Sequence, residues 1–476
     1  MNRTKKSSAK SKRGVSRREF LQTAATAAAG FTIVPRHVLG GPGYIAPSDK
    51  VNLAMIGTGN QGMNDMQQFL EIPEVQVVAV CDVYEEFALG DELAGRKPAK
   101  LAVEKFYGGQ AVDGKYKGCA DYVDFREMLE KEKGIDAVAV VTTDNLHAVA
   151  SMAAIQLGKH VYCQKPLTHD IHEARVLAEA ARKKGVATQM GNQGHAGEGN
   201  RLMLEWIADG AIGEVREVHA WTDRPRDYWK QGLERPDTIP SVPRGLDWNL
   251  WLGPAPYRPY HPAYMPFVWR GWWDFGTGVL GVMGCHIIDT PVWTLKLGHP
   301  TSVQASCSPV NDETGPIASI IHYEFPARGN MPPVHMTWYD GGLTPARPAT
   351  LEDGRRMGDG NGVLLVGSKG TIMCNCYGHN PRIIPETAMQ AYKLPPKTIP
   401  RVESIHKDFI NACKGGPAAC SNFDVSGPLT ETVLLGNLAI RMQGQRLNWD
   451  GVNLKVTNVE EANKFVKREY AGGWTL

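Results

Sequence analysis

The chain has 476 residues, of which 42% are hydrophobic and 21% charged, so it is long enough for two or three domains with a substantial core. These values exclude a wholly disordered chain and a small disulfide-stapled scaffold. The net charge is +2, but eight Lys or Arg and no acid lie within the first eighteen residues, which leaves 44 basic against 50 acidic residues elsewhere. A mildly acidic body without a dense basic stripe argues against nucleic acid as the main partner, because phosphate neutralisation needs clustered cations.

The basic N-terminus has the pattern of an export signal. Residues 16–21 contain two adjacent arginines followed by Phe-Leu, and a weakly apolar stretch follows at 22–34. This stretch is too short and too polar to span about 30 Å of hydrocarbon, and no other segment is apolar enough, so we predict no transmembrane span. The pattern matches a twin-arginine signal and predicts export by the twin-arginine machinery to a periplasmic or other extracytoplasmic space. We assign residues 1–46 to this signal and a linker arm.

Strands and helices alternate in the next part of the chain. The predicted strands are short apolar runs at residues 51–56, 75–81, 137–141, 160–163 and 186–190. Helical patterns lie between them, including residues 63–70, 148–157 and 171–184. Such alternation predicts a parallel sheet with helices on its faces.

The character of the sequence changes near residue 195. A helical pattern (201–208) and a strand (215–221) precede a segment rich in proline, tryptophan and tyrosine (225–273). Alternating apolar runs then occur at 302–308, 318–325, 334–339, 363–366 and 371–376, which predict a second domain built on an open sheet. Two interpretations of the aromatic segment stay open: core packing, and stacking against the C–H faces of sugars.

A glycine-rich motif directly follows the first predicted strand and opens a predicted helix. Its residues are Gly57, Thr58, Gly59, Asn60, Gln61 and Gly62, and Asp82 ends the second strand. In dinucleotide-binding folds such glycines let the backbone approach the pyrophosphate, and the acid accepts hydrogen bonds from the ribose hydroxyls. Because a carboxylate at Asp82 repels a 2′-phosphate, the motif predicts NAD rather than NADP as the cofactor.

The cysteines show no metal-site spacing. There are nine of them, and Cys374 and Cys376 lack the two-residue spacer of a zinc knuckle. We therefore predict no bound metal.

Three further motifs follow the glycine loop: residues 142–147 after the third strand, Lys165–Pro166 after the next strand, and G-x-H-x-x-D at residues 284–289. In this order they resemble the Gfo/Idh/MocA family, named for glucose-fructose oxidoreductase, inositol dehydrogenase and rhizopine catabolism. The resemblance runs from about residue 51 to the C-terminus. It implies an α/β fold with an N-terminal Rossmann domain (47–190), a C-terminal α/β domain with an open, mostly antiparallel sheet (191–476), and the nicotinamide between them.

The resemblance also implies roles for residues of the first domain. Thr142, Asn145 and His147 match the segment that lines the cofactor in the family. Lys165 matches a lysine beside the nicotinamide, where an ammonium stabilises the negative charge that develops on the substrate oxygen. The Lys-Pro peptide is often cis in the family.

In the second domain, His286 is the expected proton acceptor, because an imidazole titrates near neutral pH. Asp289 lies three residues later and is predicted on the same helical face, where it would orient the His286 ring or bind a hydroxyl. Further substrate candidates are Asn192, His195, Trp273 and Asp274.

Two positions depart from the family pattern. Gln164 replaces the usual glutamate, which removes a charge near Lys165 and predicts a lower pKa for that lysine. Val282 stands where many relatives have an aspartate, and valine can neither accept a proton nor anchor a hydroxyl. Three outcomes are then possible: the activity is weakened, another acid such as Asp274 takes the role of the missing aspartate, or the activity is lost.

The sequence thus predicts an exported NAD-dependent oxidoreductase that acts on a hydroxyl of a sugar, polyol or glycoside and forms a homo-oligomer through its open sheet. One alternative is an NAD-dependent glycosidase that works by transient oxidation and elimination. The other is a catalytically silent sugar-binding protein. Because NAD is not freely available outside the cytoplasm, an exported enzyme must carry its cofactor and regenerate it in place.

Overall fold

The computed structural model describes residues 45–110, 116–358 and 360–476. The twin-arginine motif and most of the predicted linker arm lie outside the described residues. The chain divides into two compact units, Met1–Lys50 and Val51–Leu476. In the first unit the described residues form one short 3-10 helix, Pro47–Asp49.

The N-terminal part of the second unit is a parallel sheet. Its strands are β1 (Val51–Ile56), β2 (Val75–Cys81), β5 (Ala120–Tyr122), β6 (Ala137–Val140), β7 (His160–Cys163) and β8 (Thr188–Met190). Two further strands, β3 (Phe87–Leu89) and β4 (Glu92–Ala94), form a separate hairpin between β2 and β5 in the chain. The sheet has the order β5-β2-β1-β6-β7-β8. Every residue of β6 is buried, as expected for a central strand covered on both faces.

Five helices accompany this sheet: α1 (Asn60–Leu70), α2 (Arg96–Gly108), α3 (Phe125–Lys131), α4 (Asp144–Gln156) and α5 (Ile171–Lys184). In helix α5, the residues that determine where the helix begins and ends can be identified. Asp170 and Glu173 form a reciprocal capping box at its start, and Gly185 adopts a left-handed conformation (φ 66°) at its end.

The C-terminal part is built on a nine-stranded sheet. Its strands are β9 (Val215–Thr222), β10 (Ser302–Cys307), β11 (Ser319–Phe325), β12 (Val334–Tyr339), β13 (Asn361–Gly367), β14 (Thr371–Cys374), β15 (Arg382–Ile384), β16 (Arg446–Asp450) and β17 (Lys455–Val456). They lie in the order β15-β14-β13-β9-β12-β11-β10-β16-β17. Only the β12–β9 pair is parallel among the described pairs of this sheet. The predicted combination of a Rossmann domain and an open, mostly antiparallel sheet is confirmed.

The other α-helices of the described residues are α6 (Glu198–Ala208), α7 (Trp248–Leu252), α8 (Gly278–Ile287), α9 (Asp289–Thr294), α10 (Glu386–Ala391), α11 (Ile405–Cys413) and α12 (Phe423–Arg441). Helix α12 joins the two sheets, because it packs against α5, α8 and β10. An ion pair of 2.8 Å between Arg175 of α5 and Glu431 of α12 supports this contact. The chain from β9 to β10 carries α7, α8 and α9. A hydrogen bond from Asn145 to the carbonyl of Leu252 (2.9 Å) connects the start of α4 to α7, whereas α9 packs against α6 and β13.

His286 and Asp289 fall in two consecutive helices. Helix α8 ends at Ile287 and α9 begins at Asp289, while Ile288 between them keeps helical dihedrals (φ −70°, ψ −23°). In the part of the chain that the structure describes, no helix is long and apolar enough to cross a membrane.

Candidate active site

A cavity of about 1290 Å³, counted with its open mouth, lies along the carboxyl ends of β1, β2, β6 and β7. Residues from both domains line it. The first domain contributes the glycine loop, Asp82 and Lys165, and the aromatic segment contributes Trp251, Trp269 and Arg270. The carboxyl edge of a parallel sheet is where open α/β folds bind their ligands.

The glycine loop has the geometry of a pyrophosphate cradle. Gly57 has φ +89°, and a Cβ atom at this residue would overlap the carbonyl of Val141. A Cβ atom at Gly62 would overlap the carbonyl of Gly57, so helix α1 can approach the loop only without a side chain there. Gly59 precedes α1 and provides no side-chain cap, which leaves the first N–H groups of the helix available to an anion. These residues therefore fit a dinucleotide.

Hydrogen bonds connect Thr58 of the glycine loop to Asp82. The carboxylate of Asp82 accepts hydrogen bonds from the backbone N–H groups of Thr58 (2.7 Å) and Tyr84 (2.9 Å). Burial raises the pKa of Asp82, and these two donors oppose the shift. The carboxylate is thereby fixed on the cavity wall, where its remaining lone pairs can accept from ribose hydroxyls.

The three residues predicted after β6 have different environments. Thr142 and His147 line the cavity, whereas Asn145 donates to the carbonyl of Leu252 (2.9 Å) and fastens the strand end to α7. The His147 ring lies between the carbonyls of Pro166 (2.8 Å) and Thr142 (3.3 Å). Burial lowers the pKa of His147, but Cys163, Asp144 and the carbonyl of Pro166 outweigh this and raise it to about 9. The position of Asn145 fits a supporting role rather than direct contact with a ligand in the cavity.

Lys165 lies on the cavity wall immediately after β7, and its peptide bond to Pro166 is cis. Burial lowers the pKa of Lys165, and the positive charge of Arg270 lowers it further. The lowered pKa agrees in direction with the expectation from Gln164, although its causes are burial and Arg270.

Gln164 has a partner that the sequence did not predict. Its Nε2 donates to Asp65 of α1 (2.8 Å), while its Oε1 accepts from the backbone N–H of Lys165 (3.1 Å). The other oxygen of Asp65 accepts from Gln61 (3.0 Å) and lies 3.1 Å from Nε2 of His406. A glutamate at position 164 would face Asp65 as a second carboxylate. In this protein the negative charge beside residue 164 is therefore that of Asp65, and residue 164 is a neutral amide.

Asp144 and Arg270 are cavity residues that sequence reasoning missed. Asp144 accepts from the Thr277 hydroxyl (2.6 Å) and is almost fully buried. Burial raises its pKa, while His147, Thr277, Arg270 and Lys165 lower it. Arg270 lies over the Trp269 ring at 4.4 Å, and burial lowers its pKa to about 10. The position of Asp144 directly before Asn145 in the 142–147 motif was the available signal, whereas Arg270 lay within an aromatic segment without a motif.

His286 is buried in α8, and its ring makes a T-shaped contact with Tyr377 (centroids 4.7 Å apart). Burial and the charge of Lys165 hold its pKa well below the usual value, so the imidazole is neutral. Within the described ranges, no donor or acceptor pairs with its Nδ1 atom. Val282, one turn earlier on the same helix, lines the cavity.

Asp289 pairs with His195 instead of His286. The His195 Nδ1 atom lies 2.9 Å from Asp289, both side chains are buried, and the His195 ring stacks on Trp293 at 4.0 Å. Asn192 is also fully engaged, since its amide accepts from the Ser421 hydroxyl (2.6 Å) and faces the carbonyl of Cys285. None of Asp289, His195 and Asn192 lines the cavity.

Trp273 and Asp274 line a second cavity together with His169 and Arg441. Asp274 is paired with Arg258, and the Trp273 indole donates to the carbonyl of Asn311 (3.2 Å). The structure therefore does not bring these two candidates together with Lys165. Most other aromatic residues of the segment form a compact apolar cluster that includes Trp248, Tyr264 and Trp272, which supports core packing. Among the described residues, no group of three or more His, Cys, Asp or Glu side chains is arranged to hold a metal.

Two family profiles match the chain. Residues 51–192 match the NAD-binding Rossmann fold of the Gfo/Idh/MocA oxidoreductases, and residues 219–476 match the C-terminal alpha/beta domain of the same family. The second profile alone covers more than half of the chain.

Relatives of known name match over shorter stretches. An inositol 2-dehydrogenase of Salmonella typhimurium is 28% identical over 167 residues, 35% of this chain and 44% of its own length. A glycosyl hydrolase family 109 protein of Shewanella sp. is 24% identical over 245 residues, 45% of this chain and 50% of its own. A 1,5-anhydro-D-fructose reductase of Ensifer adhaerens is 38% identical over 115 residues, 23% of this chain and 34% of its own. The chain thus spans half or less of the length of these relatives.

Solved structures share the fold. The WlbA dehydrogenase from Bordetella pertussis, solved with NADH and UDP-GlcNAcA, has a TM-score of 0.55 at 16% identity, covering 84% of this chain and 99% of its own. An NAD-binding protein from Listeria innocua has a TM-score of 0.53 at 15% identity, covering 84% and 97%. With two domain profiles matched in order and the fold that accompanies them, the chain belongs to the Gfo/Idh/MocA family of oxidoreductases.

Proposed function

We propose that the protein transfers a hydride between NAD and a carbinol carbon of a sugar, polyol or glycoside. The observation that carries this proposal is that Lys165 lines the same cavity as the glycine loop, with a carboxylate (Asp144) and a second cation (Arg270) beside it. The names of the inositol 2-dehydrogenase and 1,5-anhydro-D-fructose reductase relatives support a polyol or sugar as the substrate class.

Bound NAD supplies the hydride acceptor. The protein's own residues then handle the hydroxyl that is oxidised. Protonated Lys165 stabilises the negative charge that grows on the substrate oxygen, and the buried surroundings strengthen this interaction. Neutral His286 accepts the hydroxyl proton, because its lowered pKa keeps a ring nitrogen unprotonated at neutral pH. We assign to Asp144, which also lines the cavity, the binding of a neighbouring hydroxyl, a role that Val282 cannot fill.

The preference for NAD over NADP rests on Asp82. Its carboxylate is held by two backbone donors on the cavity wall, so it would face a 2′-phosphate without being able to turn away.

A second candidate function is an NAD-dependent glycosidase. The match to the glycosyl hydrolase family 109 protein covers the largest share of this chain among the three relatives above. In such a reaction, oxidation of a sugar hydroxyl is followed by elimination of the glycosidic bond and reduction of the product, so no net reduced cofactor accumulates.

The proposal includes export by the twin-arginine route with bound cofactor, and homo-oligomerisation through the outer face of the nine-stranded sheet. In β11 buried residues alternate with half-buried ones, so one side chain in two faces away from the helices. Polar side chains on that face, such as His322 and His335 with ring centroids 5.4 Å apart, would then meet those of a second copy.

The test is the absorbance of the purified full-length protein near the reduced-nicotinamide band, recorded with a panel of sugars, polyols and aryl glycosides. An oxidoreductase raises this absorbance with at least one sugar or polyol. Release of the aryl group without a lasting absorbance change identifies the glycosidase. Tight binding of a sugar with neither signal would contradict both reactions and leave the silent binding protein.

A further inference from the structure

The last residues of the chain return to the Rossmann domain and are held there by several contacts. Arg468 donates to Glu173 (2.9 Å) and to the carbonyl of Asn145 (2.6 Å). Tyr470 donates to the same Glu173 oxygen (2.6 Å), and the N–H of Ala471 donates to the carbonyl of Pro254 (3.0 Å). Since Glu173 is buried at the first turn of α5, this tail, residues 468–474, is fastened to a rigid element.

These contacts bring Trp474 to the cofactor cavity, whose wall it forms together with Asp82 and Phe125. The Trp474 and Phe125 rings lie 5.9 Å apart at 34°, and the Arg126 guanidinium lies 4.5 Å from the centre of the Trp474 ring. Arg126 is itself held by Asp124, with donor distances of 3.0 and 2.6 Å. The indole is therefore positioned before any ligand arrives.

The strand order shows which end of the cavity Trp474 closes. Phe125 follows β5, the outermost strand, and Asp82 follows its neighbour β2, whereas Lys165 follows β7 on the other side of β1. A dinucleotide with its ribose at Asp82 and its reactive ring at Lys165 has its adenine at the Trp474 end. No motif pointed to this residue, because it lies far along the chain from the glycine loop.

We propose that Trp474 stacks on the adenine of bound NAD and that the tail, residues 468–474, acts as a clasp that slows cofactor release. The inference rests on the proposed use of NAD and adds a residue for retaining it. A flat aromatic ring covers a base without needing its hydrogen-bonding edge, and removal of such a ring typically weakens base binding about 5- to 150-fold.

The experiment compares Trp474→Ala with Trp474→Phe, which keeps an aromatic face, and with Leu476→Ala, a change two residues beyond the tail and outside the cavity lining. Binding of NAD, ADP-ribose and nicotinamide mononucleotide is measured by calorimetry, and NAD release by stopped-flow. We expect Trp474→Ala to weaken NAD and ADP-ribose about 10-fold and to speed NAD release, with nicotinamide mononucleotide unchanged. Trp474→Phe should retain most of the affinity, and Leu476→Ala all of it.

Equal ADP-ribose affinity in wild type and folded Trp474→Ala would overturn the clasp while leaving NAD binding intact. Equal weakening of all three ligands would also overturn it, because the change would then act through the whole cavity. If the wild-type protein binds neither NAD nor ADP-ribose, the proposed function fails together with the clasp. A melting temperature for each variant separates loss of binding from loss of folding.

Discussion

The cofactor end and the substrate end of the cavity are built in different ways. At the cofactor end, Gly57 and Asp82 follow adjacent parallel strands, so their positions depend on local turns and one sheet edge. At the substrate end, by contrast, Lys165 and Arg270 line the cavity from different domains. The charge of Lys165 also acts on His286 of α8, which is not among the lining residues. A short motif can therefore specify an anion-binding loop, whereas an acid–base site depends on the tertiary fold.

The largest expected effect is at the substrate end. Lys165→Ala should lower turnover about 100-fold or more while leaving NAD affinity within about 3-fold, because the ammonium acts on the substrate oxygen rather than on the glycine loop. The measurement is kcat with the best substrate of the panel, alongside NAD titration; Lys183→Ala, an exposed change on α5, is the control.

The pH profile sharpens the same prediction. Wild-type activity should fall with rising pH as Lys165 deprotonates, and this alkaline limb should begin below the ordinary lysine pKa because burial and Arg270 lower it. The limb should be absent from the residual activity of Lys165→Ala. Full turnover in this variant would remove Lys165 from the mechanism.

A smaller effect, on stability rather than turnover, is expected from a change at Gln164, which is hydrogen-bonded to Asp65. Gln164→Glu would place two carboxylates where one hydrogen bond of 2.8 Å now lies, and should lower the free energy of unfolding by about 2 kcal/mol at pH 8. The loss should shrink as the pH falls, since protonation of either carboxyl group removes the repulsion. Denaturant unfolding at pH 5 and pH 8 measures both values.

The double variant Asp65→Asn/Gln164→Glu is the matched control for this pair. It restores one amide and one carboxylate in exchanged positions, so most of the lost stability should return. No recovery in the double variant would show that Gln164→Glu acts through something other than Asp65.

The smallest effect is expected at the cofactor end. Asp82→Ala should weaken NAD about 10-fold and bring the NAD and NADP affinities closer together, because a ribose acceptor and a source of repulsion are lost at once. Calorimetric titration with both dinucleotides provides the ratio. An unchanged preference would assign the selectivity to another residue.

The sequence predicted the parts of this structure that depend on short-range patterns. Strand β6 could be predicted because burial on both faces requires a continuous run of apolar residues. The turn before α1 could be predicted because its backbone conformation requires a glycine at Gly57. The pairing of His195 with Asp289 was not predictable, since the two residues are 94 positions apart in the chain and meet only in the tertiary fold. Trp474 reaches the cavity only through tertiary contacts of Arg468 and Tyr470, which carry no motif.

The most direct test of the proposed NAD site is a crystal structure of the full-length protein with NAD. We predict that the pyrophosphate lies against the Gly57–Gly62 loop, the adenosine ribose hydroxyls against Asp82, and the nicotinamide beside Lys165. The same structure would show the adenine next to Trp474. A cofactor bound in the opposite direction, or outside this cavity, would contradict the proposal that the cavity binds NAD with its nicotinamide at Lys165.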